Sequence, residues 1–322
     1  MGQPNVIFKH EGENPTGSFK DRGMTVAVSW AKANGAKRVV CASTGNTAAA
    51  VASYASLADL PSAILIPENA TALGKISQSL AYGATTIKIR GDFDAALRLV
   101  MESREKLGLT VLNSVNPFRL EGQKTIIFEA LERMDWEAPD WIVVPGGNLG
   151  NTSAFGKALT EAKEIGLIER MPRIAVIQAE GASPFFHSYS DDWKPYKMEA
   201  ETVATAIRIG DPVNHSKAVR SVDTTKGVVT SVTDTEIMDA KAVVDSDGVG
   251  AEPASCASAA GIRKLVAEGI IKRDDRVLAI LTGNLLKDPD ATIKYHSDSL
   301  RGIKSGRSNR PVTIDPTAKA LE

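Results

Sequence analysis

The sequence predicts an α/β protein built on open, mostly parallel β-sheets flanked by helices. Three observations predict it. Short β-branched runs alternate with longer helix-like stretches along the chain. Most of these runs are continuously apolar rather than alternating, which is the pattern of strands covered on both faces. The 322 residues set a prior of about two domains and are enough to bury a core without staples.

The first predicted helix covers 19–34. Pro15 and Gly17 make a turn ahead of it, and Ser18 with Asp21 forms a variant capping box. A strand at 37–42 then enters a turn rich in hydroxyls, followed by a small-residue helix at 47–58. Strands at 62–67 and 85–89 bracket a helix at 73–82, and a helix at 93–107 leads to a strand at 110–113. Pro117 ends that strand and stiffens the approach to a helix at 120–134. A strand at 141–145 passes through a glycine-rich turn into a helix at 152–166, and a strand at 173–179 follows. The alternation breaks at 181–201, where Phe185, Phe186, Tyr189, Trp193 and Tyr196 cluster. Such a loop is an active-site wall, a subunit contact or plain local packing. Helices at 235–247 and 253–268 precede the last strand, 276–281. Residues 297–322 are polar, dotted with Arg301, Lys304, Arg307 and Arg310, and read as a solvated tail.

Composition excludes several classes. Net charge is −1, which argues against nucleic-acid or anionic-membrane partners. The two cysteines, Cys41 and Cys256, form neither a disulfide framework nor a zinc motif, and suit a reducing cytosol. No apolar run is long enough to span a bilayer, and the first residues lack signal-peptide character. A cytoplasmic enzyme without a metal is the expectation.

Five places carry polar chemistry. The segment Asn14-Pro15-Thr16-Gly17-Ser18-Phe19-Lys20-Asp21-Arg22-Gly23 places Lys20 in a first helical turn. The helix dipole disfavours a cation there, so the amine deprotonates more easily, as a Schiff-base lysine must. An ordinary surface lysine fits the same residues. The turn Ser43-Thr44-Gly45-Asn46-Thr47 offers N–H groups, hydroxyls and an amide to an anion, or is a plain cap. The turn Gly146-Gly147-Asn148-Leu149-Gly150-Asn151 is a phosphate cradle. With Glu180 as a ribose-binding acid it also imitates a dinucleotide site. The stretch Asn113-Ser114-Val115-Asn116-Pro117-Phe118-Arg119-Leu120-Glu121-Gly122-Gln123-Lys124-Thr125 combines groups able to bind a second phosphate, with Arg119 acting bidentately. A capped helix start with a solvated basic patch is its plainer reading. Thr282 follows the last strand, where a hydroxyl commonly serves as a cap or turn.

The lysine segment resembles the pyridoxal-phosphate motif of the fold-type-II, tryptophan synthase β-like family. That family includes serine/threonine dehydratases, cysteine synthases and threonine synthases. The resemblance implies an α/β fold of two open, mostly parallel sheets flanked by helices. It also implies pyridoxal 5'-phosphate as cofactor, with Lys20 as both its Schiff-base lysine and the catalytic base. The loop at 43–47 is similar to the family's S-T-G-N loop. This implies Asn46 on the cofactor's phenolic oxygen and Ser43, Thr44 and Thr47 on the substrate α-carboxylate. The glycine turn resembles the family's phosphate cup, which implies Gly146, Gly147, Asn148, Leu149, Gly150 and Asn151 around the 5'-phosphate. The position matching Thr282 faces the pyridine nitrogen, where a hydroxyl leaves the ring nearly neutral.

The stretch at 113–125 is similar to the N-S-x-N-P-x-R-x-E-G-Q-K-T signature of threonine synthases. So are 282–289 and Glu252-Pro253-Ala254-Ser255, and the likeness runs from 6 to 296. It implies O-phospho-L-homoserine as substrate, with Asn113, Ser114, Asn116 and Arg119 on its side-chain phosphate, joined by Asn148. The implied reaction is γ-elimination of phosphate and β-addition of water, giving L-threonine. The implied domains are a small mobile one at 21–117, a large phosphate-binding one from 1–20 plus 118–296, and the tail at 297–322. A homodimer is implied as well. Members of that family carry several tens of residues before the lysine, including a T-P-L stretch. That N-terminal segment is missing from this sequence, so either a truncated chain or a rearranged large domain and dimer contact is expected. Position 284 is Asn where many members carry His.

Three other readings remain open. A serine/threonine dehydratase has no phosphate for 113–125 to hold. A nicotinamide-dependent oxidoreductase leaves Lys20 and Asn46 unexplained. A non-catalytic family member is the third.

Overall fold

The computed structural model describes residues 5–68, 73–91 and 93–317. Residues 1–4, and the end of the polar tail from 318, lie outside the described residues. In chain order the elements are β1 (Val6–His10), α1 (Lys20–Ala33), β2 (Val39–Ala42), α2 (Asn46–Leu57), β3 (Ser62–Pro67), α3 (Leu73–Ala81), β4 (Thr85–Ile89), α4 (Phe93–Ser103), β5 (Thr110–Val111) and α5 (Pro117–Arg133). There follow β6 (Trp141–Pro145), α6 (Gly150–Glu164), β7 (Arg173–Ala179), α7 (Pro184–Ser190), α8 (His215–Thr224), β8 (Val228–Val232), α9 (Asp234–Ser246), α10 (Pro253–Ala267), β9 (Val277–Leu281) and α11 (Pro289–His296). Among the described residues no helix is long and apolar enough to cross a membrane.

The strands form two wholly parallel sheets. One has the order β4-β3-β2-β5 and the other β1-β9-β6-β7-β8. The continuous apolar runs are explained by helices on both faces. In β6, Ile142 and Val144 face a core with α5 and α6 residues such as Ile127 and Phe155. Val143, between them, faces the opposite core with α9 and α10. The smaller sheet repeats the device. Val39 and Cys41 face α1 and α2, while Val40 and Ala42 face α4.

Sequence reasoning missed two strands. Edge strand β1 pairs only with β9, and Ile7 is exposed. Strand β8 carries Thr230 and Ser231 among its valines, which breaks the apolar signal. Helix α7 lies inside the aromatic segment that was expected to break the alternation. Helices α8 and α11 were also unexpected.

Helices α1 and α5 cross backbone against backbone. A Cβ at Gly122 would lie 1.9 Å from the Arg22 carbonyl oxygen, so only glycine permits this approach. The crossing brings Arg119, one turn earlier on α5, toward Lys20 at the start of α1.

Candidate active site

Lys20 stands where the chain enters α1 from the large sheet. Ser18 bridges Gly283, the Phe19 N–H donates to the Thr282 carbonyl at 2.9 Å, and the Asn284 N–H donates to that of Gly17 at 2.9 Å. This stitching changes the expected cap. The N-cap is Phe19, and Ser18 Oγ accepts only a long bond from the Lys20 N–H, at 3.4 Å. Asp21 turns back to Thr16 and accepts from its N–H at 2.7 Å and from its hydroxyl. Lys20 is half-buried, with Nζ 3.8 Å from the centre of the Phe19 ring. Burial, and secondarily the Arg119 guanidinium, lower its pKa from 10.5 to about 7, against the opposing pull of Glu252 and Cys41.

The Asn113 amide clasps the backbone of Ala42. Its Oδ1 accepts from the Ala42 N–H at 3.1 Å, and its Nδ2 donates to the Ala42 carbonyl at 2.8 Å. The clasp holds β2 at the point where the turn at 43–47 leaves the sheet. Asn46 opens α2, and its Nδ2 donates to both oxygens of Glu252 at 3.2 and 3.1 Å. Asn116 caps α5, accepting from the Phe118 N–H at 3.0 Å and donating to the Val111 carbonyl at 3.1 Å. Its side chain is not part of the cavity wall.

Arg119 is the most telling group. It is 3% exposed, and its contacts are long: 3.4 Å to the Leu112 carbonyl and 3.5 Å to Ser114 Oγ. Its Nε has no partner, and no carboxylate lies in ion-pair reach among the described residues. Burial lowers its pKa from 12.5 to about 10. A buried cation left unpaired beside a cavity is unfavourable until an anion arrives.

The glycine turn sits at the other end of the cavity. The Gly146 N–H donates to the Ile177 carbonyl at 2.7 Å, and Leu149 is the left-handed N-cap of α6, with φ 61°. The first N–H groups of a helix lack intrahelical acceptors, so this turn presents donors. Asn214 Nδ2 braces the Asn148 carbonyl at 3.0 Å. Asn151 Oδ1, the Thr152 hydroxyl and Gln123 Oε1 are buried without partners among the described residues. Thr282 Oγ1 lies 3.0 Å from Ser255 Oγ.

Most of these groups, though not Asn116, Gly146, Thr152 or Ser255, line one cavity of about 910 Å³. It gathers every anticipated site residue except Gly146 and Asn116: Lys20, Ser43, Thr44, Asn46, Thr47, Asn113, Ser114, Arg119, Gly147, Asn148, Leu149, Gly150, Asn151 and Thr282. Glu180 is exposed and outside it, so the dinucleotide arrangement does not form. The aromatic segment is not the wall either. Phe185 and Trp193 pack on each other, ring centres 5.2 Å apart, and the wall comes instead from 205–209. Glu252, Gln78 and Lys287 also line the cavity and were not anticipated as site residues. Lys287 Nζ donates to the Thr16 carbonyl at 2.9 Å and to Gln78 Oε1. The Glu252 and Lys287 motifs were visible in the sequence, but nothing local assigned those side chains a role.

The residues fit a phosphorylated aldehyde cofactor. The lysine amine is depressed to near neutrality, and the glycine turn at the start of α6 is a donor cup. The cup is also shaped for close approach, since a Cβ at Gly147 would lie 3.1 Å from Ile207 Cα.

Comparison with known proteins agrees with this geometry. Residues 1–283 match the family model described as pyridoxal-phosphate dependent enzyme. A threonine synthase of Methanocaldococcus jannaschii is 47% identical over 306 residues, covering 94% of this chain and 75% of that protein. One of Methanosarcina acetivorans is 50% identical over 298 residues, covering 91% and 73%. Among solved structures, the processed form of threonine deaminase isoform 2 from Solanum lycopersicum superposes with a TM-score of 0.76 at 22% identity, covering 90% of this chain and 83% of that one. Maize serine racemase gives 0.73 at 27% identity, covering 87% and 83%. The chain belongs to the pyridoxal-phosphate dependent enzyme family and, within it, to the threonine synthases.

Proposed function

We propose that this chain converts O-phospho-L-homoserine and water to L-threonine and phosphate, as a pyridoxal-phosphate-dependent threonine synthase. The observation that carries the substrate assignment is Arg119, a buried guanidinium with no carboxylate partner in the same cavity as Lys20. A substrate with a side-chain phosphate supplies the missing anion.

In this reading the glycine turn holds the cofactor phosphate, Asn46 faces the phenolic oxygen, and Thr282 faces the pyridine nitrogen. Bound there, the cofactor supplies an electron sink conjugated to the substrate Cα. Ser43, Thr44 and Thr47 hold the α-carboxylate, while Arg119 and Ser114 hold the side-chain phosphate. Asn113 acts by holding the 43–47 turn against Ala42. Lys20 takes the proton from Cα and then one from Cβ, and an amine with a pKa of about 7 can both accept and return protons at neutral pH. Phosphate leaves Cγ with its bonding electron pair, and Cγ receives a proton to become the methyl group. Water adds its oxygen at Cβ, its spare proton passes to phosphate, and Lys20 returns a proton to Cα.

The reading includes a small mobile lobe at 21–117, whose closure excludes water early, and a large lobe from 1–20 plus 118–296. It also includes a cytoplasmic homodimer, in keeping with the resemblance and with the buried free thiols of Cys41 and Cys256. The test is to supply O-phosphohomoserine and measure free phosphate and threonine, with serine and threonine as controls. Stoichiometric phosphate and threonine support the reading. Keto acid from serine or threonine with O-phosphohomoserine inert overturns it in favour of a dehydratase.

A further inference from the structure

We infer that Glu252 is a further positioning residue of this site: its buried carboxylate orients the Asn46 amide and places a negative charge beside Lys20. The inference deepens the proposed function, because it rests on Lys20 and Asn46 being the groups that hold the cofactor.

Glu252 precedes Pro253 at the N-cap of α10, and its N–H donates to the Gly283 carbonyl at 3.0 Å. Its side chain folds inward over Gly283, where a Cβ would lie 2.4 Å from Oε1. The residue is 4% exposed, yet no cation lies within 4.0 Å among the described residues. Its hydrogen-bond donor is Asn46 Nδ2, which reaches both oxygens. A carboxylate accepts only, so it selects the NH₂ end of the amide and prevents a flip. The other N–H and the Oδ1 of Asn46 then keep one orientation.

The charges around Lys20 oppose one another. Arg119 from α5 lowers its proton affinity, while Glu252 from α10 and Cys41 from β2 raise it. Glu252 itself faces Lys20, Lys287 and Asp288. Burial raises its pKa, and the Asn46 bond, Lys20 and Lys287 hold it down. A buried carboxylate kept without an ion pair, next to a lysine that must exchange protons, acts as that lysine's counterweight.

The test separates charge from geometry. Glu252→Gln keeps an oxygen for the Asn46 bond and removes the charge, whereas Glu252→Ala removes both. In the full-length, cofactor-free protein, the pH dependence of Lys20 acylation, read by mass spectrometry, reports its midpoint. The midpoint should fall by about one pH unit in both variants. Affinity for pyridoxal 5'-phosphate, read by its visible band, should stay near wild type in Glu252→Gln and fall about tenfold in Glu252→Ala. An unchanged acylation midpoint in folded Glu252→Gln overturns the inference, and so does equal cofactor affinity in the two variants. Failure of the wild type to develop a Lys20-dependent band overturns the cofactor reading instead, while the acylation midpoints still report on Glu252.

Discussion

Replacing Arg119 with methionine should move stability and function in opposite directions. The guanidinium remains charged at neutral pH, so its burial costs the folded state. Its pKa falls from 12.5 to about 10 on folding. At about 1.4 kcal/mol per tenfold change, that is a cost of about 3 kcal/mol. The sign follows from the lowered pKa of a cation. The full cost is present at every pH below about 10 and fades only as pH rises toward 12.5. The contacts at 3.4 and 3.5 Å to Leu112 and Ser114 return about 1 kcal/mol between them. Methionine fills similar length without charge, so the free protein should gain about 1–2 kcal/mol, a rise of a few degrees in Tm.

The functional arm runs the other way. With the glycine turn occupied by the cofactor, inorganic phosphate at about a hundred times its Kd should stabilise the wild type by about 2.7 kcal/mol and leave Arg119→Met unmoved. KM for O-phosphohomoserine should rise about tenfold to a hundredfold through loss of a charge-assisted bond. Thermal melts with and without phosphate, and steady-state phosphate release, measure all three. A methionine variant that melts below the wild type, with both proteins equally stabilised by phosphate, would refute the view of Arg119 as an unpaired anion receptor.

Further predictions come from the same cavity. Because Lys20 has a pKa of about 7, formation of its cofactor chromophore should rise with a midpoint near pH 7, measured by stopped-flow absorbance. Its folded pKa lies below the unfolded value, so its contribution to stability rises with pH from about 7 to 10.5, and Lys20→Met should abolish that slope in denaturant titrations. Gly147→Ala presses a Cβ toward Ile207 Cα and should weaken cofactor binding about tenfold, by equilibrium dialysis, with Tm nearly unchanged. Asn113→Ala breaks both bonds to Ala42 and should cost about 1–3 kcal/mol in urea unfolding, with kcat/KM falling for every substrate tried. Gln78→Ala removes the side chain that joins α3 to Thr16 and Lys287, and should speed limited proteolysis around α3 while changing stability by less than about 1 kcal/mol.

Most of the fold is legible because two-sided burial writes itself along a strand. Successive residues of β6 enter opposite cores, so all of them are apolar. Strand β1 escapes because it is an edge with Ile7 outside, and β8 escapes because its core tolerates the hydroxyls of Thr230 and Ser231. The loops at the ends of the strands are legible for a related reason. A parallel sheet delivers its turns to one end, so glycines, hydroxyls and amides collect there in short local strings.

What a local string does not carry is direction and distant pairing. Asn113 and Asn116 share one motif and looked equivalent as phosphate ligands. Pro117 takes the first helical position of α5, which makes Asn116 the N-cap and commits its oxygen to the Phe118 N–H. Asn113, just past β5, continues that strand and bonds the neighbouring one. Arg119 is left, of the three, with a nitrogen, Nε, that has no partner among the described residues. The contact between Asn46 and Glu252 spans 206 positions, and that between Thr16 and Lys287 spans 271. Neither shows in composition or spacing, because each exists only once two sheets are laid side by side. The near-zero net charge of the chain conceals the same fact. Lys20, Arg119 and Glu252 are only three of the chain's many charges, yet at one cavity burial first, and then Arg119 against Glu252, set the proton affinity of the lysine.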